Sequence, residues 1–118
     1  MSKKQTRLLS GVLAALWMLT IFFLSHRPRL GGFGLLDLIP FGDKLVHAVA
    51  FGILALLIYG SSRRLLLSLV LTSLYGLSDE IHQSFVAGRT ADLFDWLSDT
   101  VGAALALGAW AFYRQKKT

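Results

Sequence analysis

Three pairs of carboxylate, imidazole or amide side chains are spaced four residues apart in this sequence. The pairs are Asp43 and His47, Asp79 and Gln83, and Asp95 and Asp99. Residues at this spacing share one face of a helix, and His82 shares the face of Asp79 at a spacing of three. Carboxylates and imidazoles bind Zn²⁺, Mn²⁺ or Mg²⁺, so the pattern predicts a divalent-metal site. Its expected ligands are His47, Asp79, His82, Asp95 and Asp99.

Four apolar segments must position these residues, and each is near the length of about 17–25 residues that spans a bilayer. The chain has 118 residues, of which 54% are hydrophobic and 16% charged, too apolar for the surface of a small soluble domain. We therefore predict an all-α, integral membrane four-helix bundle, a single domain over residues 1–118. Asp43, after Pro40 and Gly42, is the expected N-cap of the second helix. The expected helices cover residues 8–25, 43–60, 64–85 and 92–113, with short loops between helices 2 and 3 and between helices 3 and 4.

Simple features of the sequence argue against a nucleic-acid partner, a signal peptide and cysteine chemistry. The net charge of +5 comes from cations placed between apolar runs rather than in a stripe, which argues against a nucleic-acid partner. The first apolar run is not followed by a small-x-small cleavage site, so we expect a retained helix and not a signal peptide. With no cysteine, the chain has neither disulfides nor a thiolate metal site.

The charges divide between the two sides of the predicted bundle. One side carries eight of the twelve cations and is predicted to be cytoplasmic, together with both termini. The other side carries four cations, all seven acids and all three histidines. The cytoplasmic eight are Lys3, Lys4, Arg7, Arg63, Arg64, Arg114, Lys116 and Lys117.

Counting from the cytoplasmic arginines gives the depth of the acidic groups. His47 lies 16 residues from Arg63, and Asp79 and Asp99 each lie 15 from the arginine of their own helix. At the helical rise, all three are roughly 22–24 Å from the cytoplasmic side. The other members of the three pairs form a second layer, one turn further out. Below Asp95 and Asp99, the same face of the fourth helix continues through Gly102, Ala106 and Ala109, whose small size favours close helix packing.

Ionisable groups at this depth are costly, so several at one level require an explanation. Crowded acids must protonate, pair with Lys44 and Arg89, or bind a cation. The alternatives to a metal site are interhelical hydrogen bonds and ion pairs that only hold the bundle together, and a path for protons or ions.

The pattern of polar residues is also that of a known family. Its elements are Leu24-Ser25, Asp43-Lys44-x-x-His47-x-x-x-Phe51, Ser78-Asp79-Glu80-Ile81-His82-Gln83-Ser84-Phe85-x-x-Gly88-Arg89, and Asp92-x-x-Asp95-x-x-x-Asp99-Thr100-x-Gly102. In these motifs the sequence resembles the VanZ-like family of small bacterial membrane proteins. The resemblance implies a multi-pass protein of the bacterial cytoplasmic membrane. It also implies a link to the cell envelope, since the founding member is associated with low-level teicoplanin resistance.

The functional hypothesis that follows is an outward-facing site for a lipid-linked or cell-envelope head group. In its enzymatic version, a metal-dependent hydrolase or phosphotransferase, the catalytic residues are Asp79, Glu80, His82 and Asp95. The substrate-binding residues are Lys44, Gln83, Arg89 and Asp92, and the structural ones are Asp43, Gly88 and Gly102. The rival hypotheses are a non-catalytic membrane protein that binds such a ligand and alters drug access, and an ion-coupled transporter. The sequence leaves open the metal, homo-oligomer formation and any antibiotic resistance.

Overall fold

The described part of the chain forms four helices, as the sequence predicts. A computed structural model describes residues 1–26, 42–86 and 92–117, and in that part of the chain there is no strand. Side chains are described except at positions 25, 26, 42 and 43. Two helices contain stretches long and apolar enough to cross a membrane, Lys3–Leu24 and Lys44–Ser62. The helices are α1 (Lys3–His26), α2 (Gly42–Ser62), α3 (Leu65–Gln83) and α4 (Leu93–Lys117).

Several helix ends differ from those expected from the apolar segments. At the start of α1, Ser2 Oγ accepts from the Gln5 N–H at 3.1 Å, and Gln5 Oε1 accepts from the Ser2 N–H at 2.9 Å. This capping box starts α1 within its basic flank, five residues before the expected start. The prediction that Asp43 is an N-cap is wrong, because α2 begins at Gly42 and Asp43 lies in its first turn. The last helix, α4, continues to Lys117, beyond its expected end at residue 113.

A tight turn reverses the chain between α2 and α3. Arg63 has φ of 61°, the left-handed conformation that commonly ends a helix, and its N–H donates to the Tyr59 carbonyl at 2.8 Å. The Arg64 N–H then donates to Ser62 Oγ at 3.2 Å. The turn makes α3 antiparallel to α2.

α2 lies at the centre of the bundle. Its Phe51, Leu54 and Ala55 are almost fully buried. α1 packs on one side of α2 and α3, where the Trp17 indole N–H donates to the Ala50 carbonyl at 2.8 Å and the Tyr75 hydroxyl donates to the Met18 carbonyl at 2.5 Å. α4 packs on the other side, parallel to α2 and antiparallel to α3. The first turns of α2 and α4 therefore lie at the same end of the bundle.

The burial pattern of α3 is reversed relative to a helix on a soluble domain. Its buried residues are polar or glycine, whereas Leu66, Leu74 and Ile81 are more than half exposed. An amphipathic helix in water buries its apolar face instead. The polar face of α3 thus points into the bundle. The buried residues are Ser68, Thr72, Gly76, Asp79, Glu80 and Gln83.

The closest approach of two helices occurs where α4 crosses α2. A Cβ on Gly102 would lie 2.2 Å from the Ala48 carbonyl oxygen, so only glycine fits there. The stripe of small residues departs from the predicted one below this point. Ala109 is exposed, because the buried face of α4 continues from Asp95 and Asp99 at a spacing of four, through Ala103 and Leu107, whereas the predicted stripe alternates spacings of four and three. A spacing of four turns slowly around a helix of 3.6 residues per turn, so the two stripes separate.

Replacing Gly102 with alanine is expected to destabilise the bundle by about 1–3 kcal/mol, because the new methyl group meets backbone that cannot move aside without separating α2 from α4. Gly108→Ala is the matched control on the same helix. A Cβ there meets nothing within 4 Å, and alanine improves helix propensity by up to ~1 kcal/mol. Thermal unfolding of both variants in detergent, followed by circular dichroism, measures the difference. Equal stability of the two variants would contradict the close approach.

Candidate functional site

The candidate site lies at the end of the bundle where α2 and α4 begin and α3 ends. Lys44 and Asp95 come from the first turns of α2 and α4, His47 and Asp99 from their second turns, and Glu80 from the last turn of α3. The positive ends of the α2 and α4 dipoles favour acids at this place. The arginines of the described residues lie at the opposite end, where Arg7 Nε donates to the Ser61 carbonyl at 2.8 Å and Arg114 bonds the Tyr59 hydroxyl.

A hydrogen bond between His47 and Asp99 fixes the imidazole ring. Nδ1 of His47 lies 2.8 Å from Oδ1 of Asp99, and the Asp99 side chain is fully buried. A carboxylate can only accept, so Nδ1 donates the hydrogen bond, and Nε2 is the ring nitrogen that faces the site and offers a lone pair there when it is deprotonated. A carboxylate behind a histidine is a common means of orienting a metal ligand.

Three side chains from three helices converge in front of that imidazole. One ligand atom from each of His47, Glu80 and Asp95 lies within 4.8 Å of the others. His47 Nε2 and Asp95 Oδ2 are 3.8 Å apart. Two ligand atoms can have this separation when both bind the same ion at about 2.0–2.2 Å. Glu80 and Asp95 are each about 95% buried. This set shares only His47 and Asp95 with the ligands predicted from the sequence.

Glu80 is held in place by the backbone of the neighbouring helix. Its Oε2 accepts from the Asp92 N–H at 2.9 Å. Its Oε1 is buried and has no hydrogen-bond partner among the described residues. A buried carboxylate oxygen without a donor is unfavourable, and a cation bound to it would remove that cost. Glu80, expected from the sequence as an acid or base, thus has the geometry of a ligand.

Asp92 caps the start of α4 and also forms an ion pair with Lys44. Its Oδ1 accepts from the Phe94 N–H at 2.9 Å and caps α4, and its Oδ2 lies 2.9 Å from the Lys44 ammonium. The same ammonium lies 2.8 Å from Asp95 Oδ1. Lys44 therefore neutralises part of the acidic charge and leaves Asp95 Oδ2 turned toward His47. Both carboxylate oxygens of Asp92 have structural contacts, in addition to any part in substrate binding.

A cavity of about 150 Å³ lies on the other side of His47, between α1, α2 and α3. Asp79 and Gln83 line it together with His47, and both are buried. The rest of the lining is apolar, including Ile21 and Phe51. The structure therefore places Asp79 and Gln83 next to the site, as part of a pocket that opens beside the imidazole.

His82 is directed elsewhere. Its ring stacks on Phe22 of α1, with centroids 4.5 Å apart and planes 9° from parallel. It does not belong to the group of ligand atoms formed by His47, Glu80 and Asp95. Three predicted site residues have no described side chain and lie outside this comparison: Asp43, Gly88 and Arg89.

Sequence reasoning missed one residue on which the site depends. A Cβ on Gly76 would lie 2.9 Å from Asp99 Oδ2 and 3.2 Å from Asp99 Cβ, so the absence of a side chain makes room for the buried carboxylate. The sequence feature that could have identified Gly76 is its position, one helical turn before Glu80 on the polar face of α3.

The arrangement can hold a divalent cation with one imidazole nitrogen and two carboxylate oxygens. Such a mixed nitrogen and oxygen set suits Zn²⁺ and Mn²⁺. Three protein ligands leave coordination positions for water or for a phosphate oxygen, as in catalytic rather than structural metal sites.

Comparison with curated proteins identifies a relative in yeast. The chain is 32% identical over 85 residues to an uncharacterized protein of the yeast Schizosaccharomyces pombe, an alignment that covers 67% of this chain and 52% of the relative. The chain thus spans about half the length of the curated relative it matches. No solved structure matches it significantly.

The family assignment rests on nearly the whole chain. Residues 10–114 match the VanZ/LLP1 family, a range that includes α2 and α3, most of α1 and α4, and every residue of the candidate site. Together with two apolar helices long enough to cross a bilayer, this match indicates a membrane protein. The protein belongs to the VanZ/LLP1 family.

Proposed function

We propose that all four helices span the membrane. The support is the reversed burial of the bundle, in which carboxylates lie inside and large apolar side chains cover the outside. Phe23, Leu66, Leu74, Leu105 and Phe112 are all more than half exposed. Such a surface is unfavourable in water and matches the hydrocarbon of a bilayer.

The low mean hydropathy of α3 and α4 has a local cause. Asp79, Glu80, Asp95 and Asp99 lower it, yet these side chains are at most 5% exposed and would not meet lipid. The 19 residues of α3 extend about 28 Å, close to the ~30 Å thickness of the hydrocarbon core. The basic end carries Arg7, Arg63, Arg64 and Arg114, so the positive-inside rule directs both termini to the cytoplasm and the site to the outer side.

The absence of cysteine permits a direct test of this topology. Single cysteines at Arg64, Ser84 and Lys116, all exposed, mark the two ends of α3 and the end of α4. In intact cells a membrane-impermeant maleimide is expected to label Ser84→Cys, and to label Arg64→Cys and Lys116→Cys only after lysis. Labelling of all three from the same side would contradict four spans.

We further propose that the site binds a divalent cation and, through it, the phosphate of a lipid-linked head group. The observation that carries the proposal is the convergence of His47, Glu80 and Asp95, with Asp99 behind the imidazole. Without a cation, this group of acids would repel a phosphate. With one, the open coordination positions of the cation offer an anionic head group a positive charge, while Lys44 offsets part of the charge of the surrounding acids.

The choice of ligand class has two supports. The site lies at the depth of the polar head groups, and the adjoining cavity next to His47 is mostly apolar with Asp79 and Gln83 as its polar lining. In a bacterium, holding an envelope precursor in this way would alter glycopeptide susceptibility.

Hydrolysis or transfer of the bound phosphate is the second candidate function. Asp79 favours it, because its buried carboxylate lines the cavity beside His47 and could accept the proton of an attacking water. An ion path has less support. The buried hydroxyls of Ser68 and Thr72 donate to carbonyls of Arg64 and Ser68 one turn earlier. These hydroxyl protons are therefore used in hydrogen bonds to the backbone rather than in a relay across the bundle.

Cation binding can be tested with Mn²⁺ or Zn²⁺ alone on the purified protein, by equilibrium dialysis and metal analysis. Wild-type protein is expected to bind one ion. His47→Ala and Glu80→Gln remove a ligand and are expected to abolish binding. Asp99→Asn keeps the ligand set but loses the charge that orients His47, and a loss of about 10- to 100-fold in affinity is expected.

His82→Ala is the matched histidine control, because His82 stacks on Phe22 away from the three ligands. It is expected to keep the affinity of the wild type. Soluble dihexanoyl phosphatidic acid then tests the phosphate, which should bind only when Mn²⁺ is present. Equal Mn²⁺ affinity in wild type, His47→Ala and Glu80→Gln would refute the cation site. Binding of phosphatidic acid without metal would refute the proposal that the cation binds the phosphate.

A further inference from the structure

A second concave feature runs along the outside of the bundle between α2 and α4. It is an apolar groove of about 630 Å³, separate from the cavity beside His47. Lys44 and Asp92 lie at one end, and their side chains are 23% and 37% exposed. The apolar lining comes from Leu45, Ala48, Phe94, Leu97, Val101 and Leu105.

The groove has the length of one leaflet. Phe94, Leu97, Val101 and Leu105 follow one stripe of α4. Eleven residues separate the first from the last, or about 17 Å along the helix axis. Half of the ~30 Å hydrocarbon core is about 15 Å. A groove that begins at the polar site therefore ends near the middle of the bilayer.

The floor of the groove results from the helix packing described above. α2 and α4 approach each other so closely at Ala48 and Gly102 that no side chain fits between them. The larger Leu45 on α2 and Leu97 and Val101 on α4 stand beside this contact and form the walls. The depth of the groove thus comes from the same packing that brings His47 next to Asp99.

We propose that this groove holds one hydrocarbon chain of a phospholipid whose phosphate lies at the Lys44 end. The inference rests on the proposed function, since the cation site next to Lys44 would bind that phosphate. Lys44 contacts both Asp92 in the groove and Asp95 in the site, so the two features share one boundary. A second copy of the chain fits less well, because a helix seated there would cover Lys44 and Asp92 within the membrane, where charges are costly.

The test compares two tryptophan variants on equally exposed positions. Val101 is 53% exposed and lines the groove, and Leu74 is 56% exposed on α3 away from it. Each protein is reconstituted in palmitoyl-oleoyl-phosphatidylglycerol vesicles with Mn²⁺ and exchanged into detergent, and the retained lipid is counted by native mass spectrometry. Wild type and Leu74→Trp are expected to keep one lipid. Val101→Trp fills the groove and is expected to keep about tenfold less, which corresponds to ~1.4 kcal/mol.

The Mn²⁺ affinity of the same samples separates the two proposals and checks that Val101→Trp is folded. If Val101→Trp binds Mn²⁺ normally and still retains its lipid, the groove inference is overturned and the cation site stands. If wild type binds no Mn²⁺ but only Val101→Trp loses lipid, the cation site fails and the groove inference survives for the hydrocarbon chain. A wild-type dimer mass that Val101→Trp abolishes would assign the groove to a second copy and overturn the inference.

Discussion

The contact of α2 and α4 at Ala48 and Gly102 is the constraint on which the rest of the molecule depends. Backbone meets backbone there, because one of the two residues has no side chain and the other has only a methyl group. Since α2 and α4 run parallel, the contact brings the first turns of both helices together. His47 precedes Ala48 by one residue and Asp99 precedes Gly102 by three, so the imidazole and the carboxylate meet at 2.8 Å. The same contact leaves a groove on the outside.

The polar end of the bundle is a compromise between stability and binding. Four carboxylates of α3 and α4 are buried with one lysine in contact, so the described groups carry an excess of negative charge. Such a group destabilises a fold unless hydrogen bonds or a cation compensate. One oxygen of Asp99 is compensated by His47 and one oxygen of Glu80 by the Asp92 N–H, while the second oxygen of each is buried without a hydrogen-bond partner among the described residues. The proposed cation would bind where compensation is incomplete.

The site and the groove together describe a coherent way of holding an amphiphile. In the proposed orientation, the polar contacts lie at the head-group end of the bundle, and the groove would continue from them for about the depth of one leaflet. Lys44 connects the two, since it contacts Asp92 at the groove and Asp95 at the site. A ligand recognised in this way would be selected by its phosphate at one end and accommodated by its hydrocarbon chain at the other, with little discrimination among chains.

The sequence by itself determined the four helices, the family and the set of polar residues, because apolar length, turn residues and a spacing of three or four are local properties. It also placed His47, Asp79 and Asp99 on inward faces. It could not determine the rotation of each helix about its own axis. Asp79 and Glu80 are adjacent and point about 100° apart, so packing of Gly76 against Asp99 decided that Glu80 meets His47 and Asp95 while Asp79 lines the cavity. His82 was likewise turned to Phe22 by the position of α1. Helical spacing defines faces, and only tertiary packing decides which faces meet.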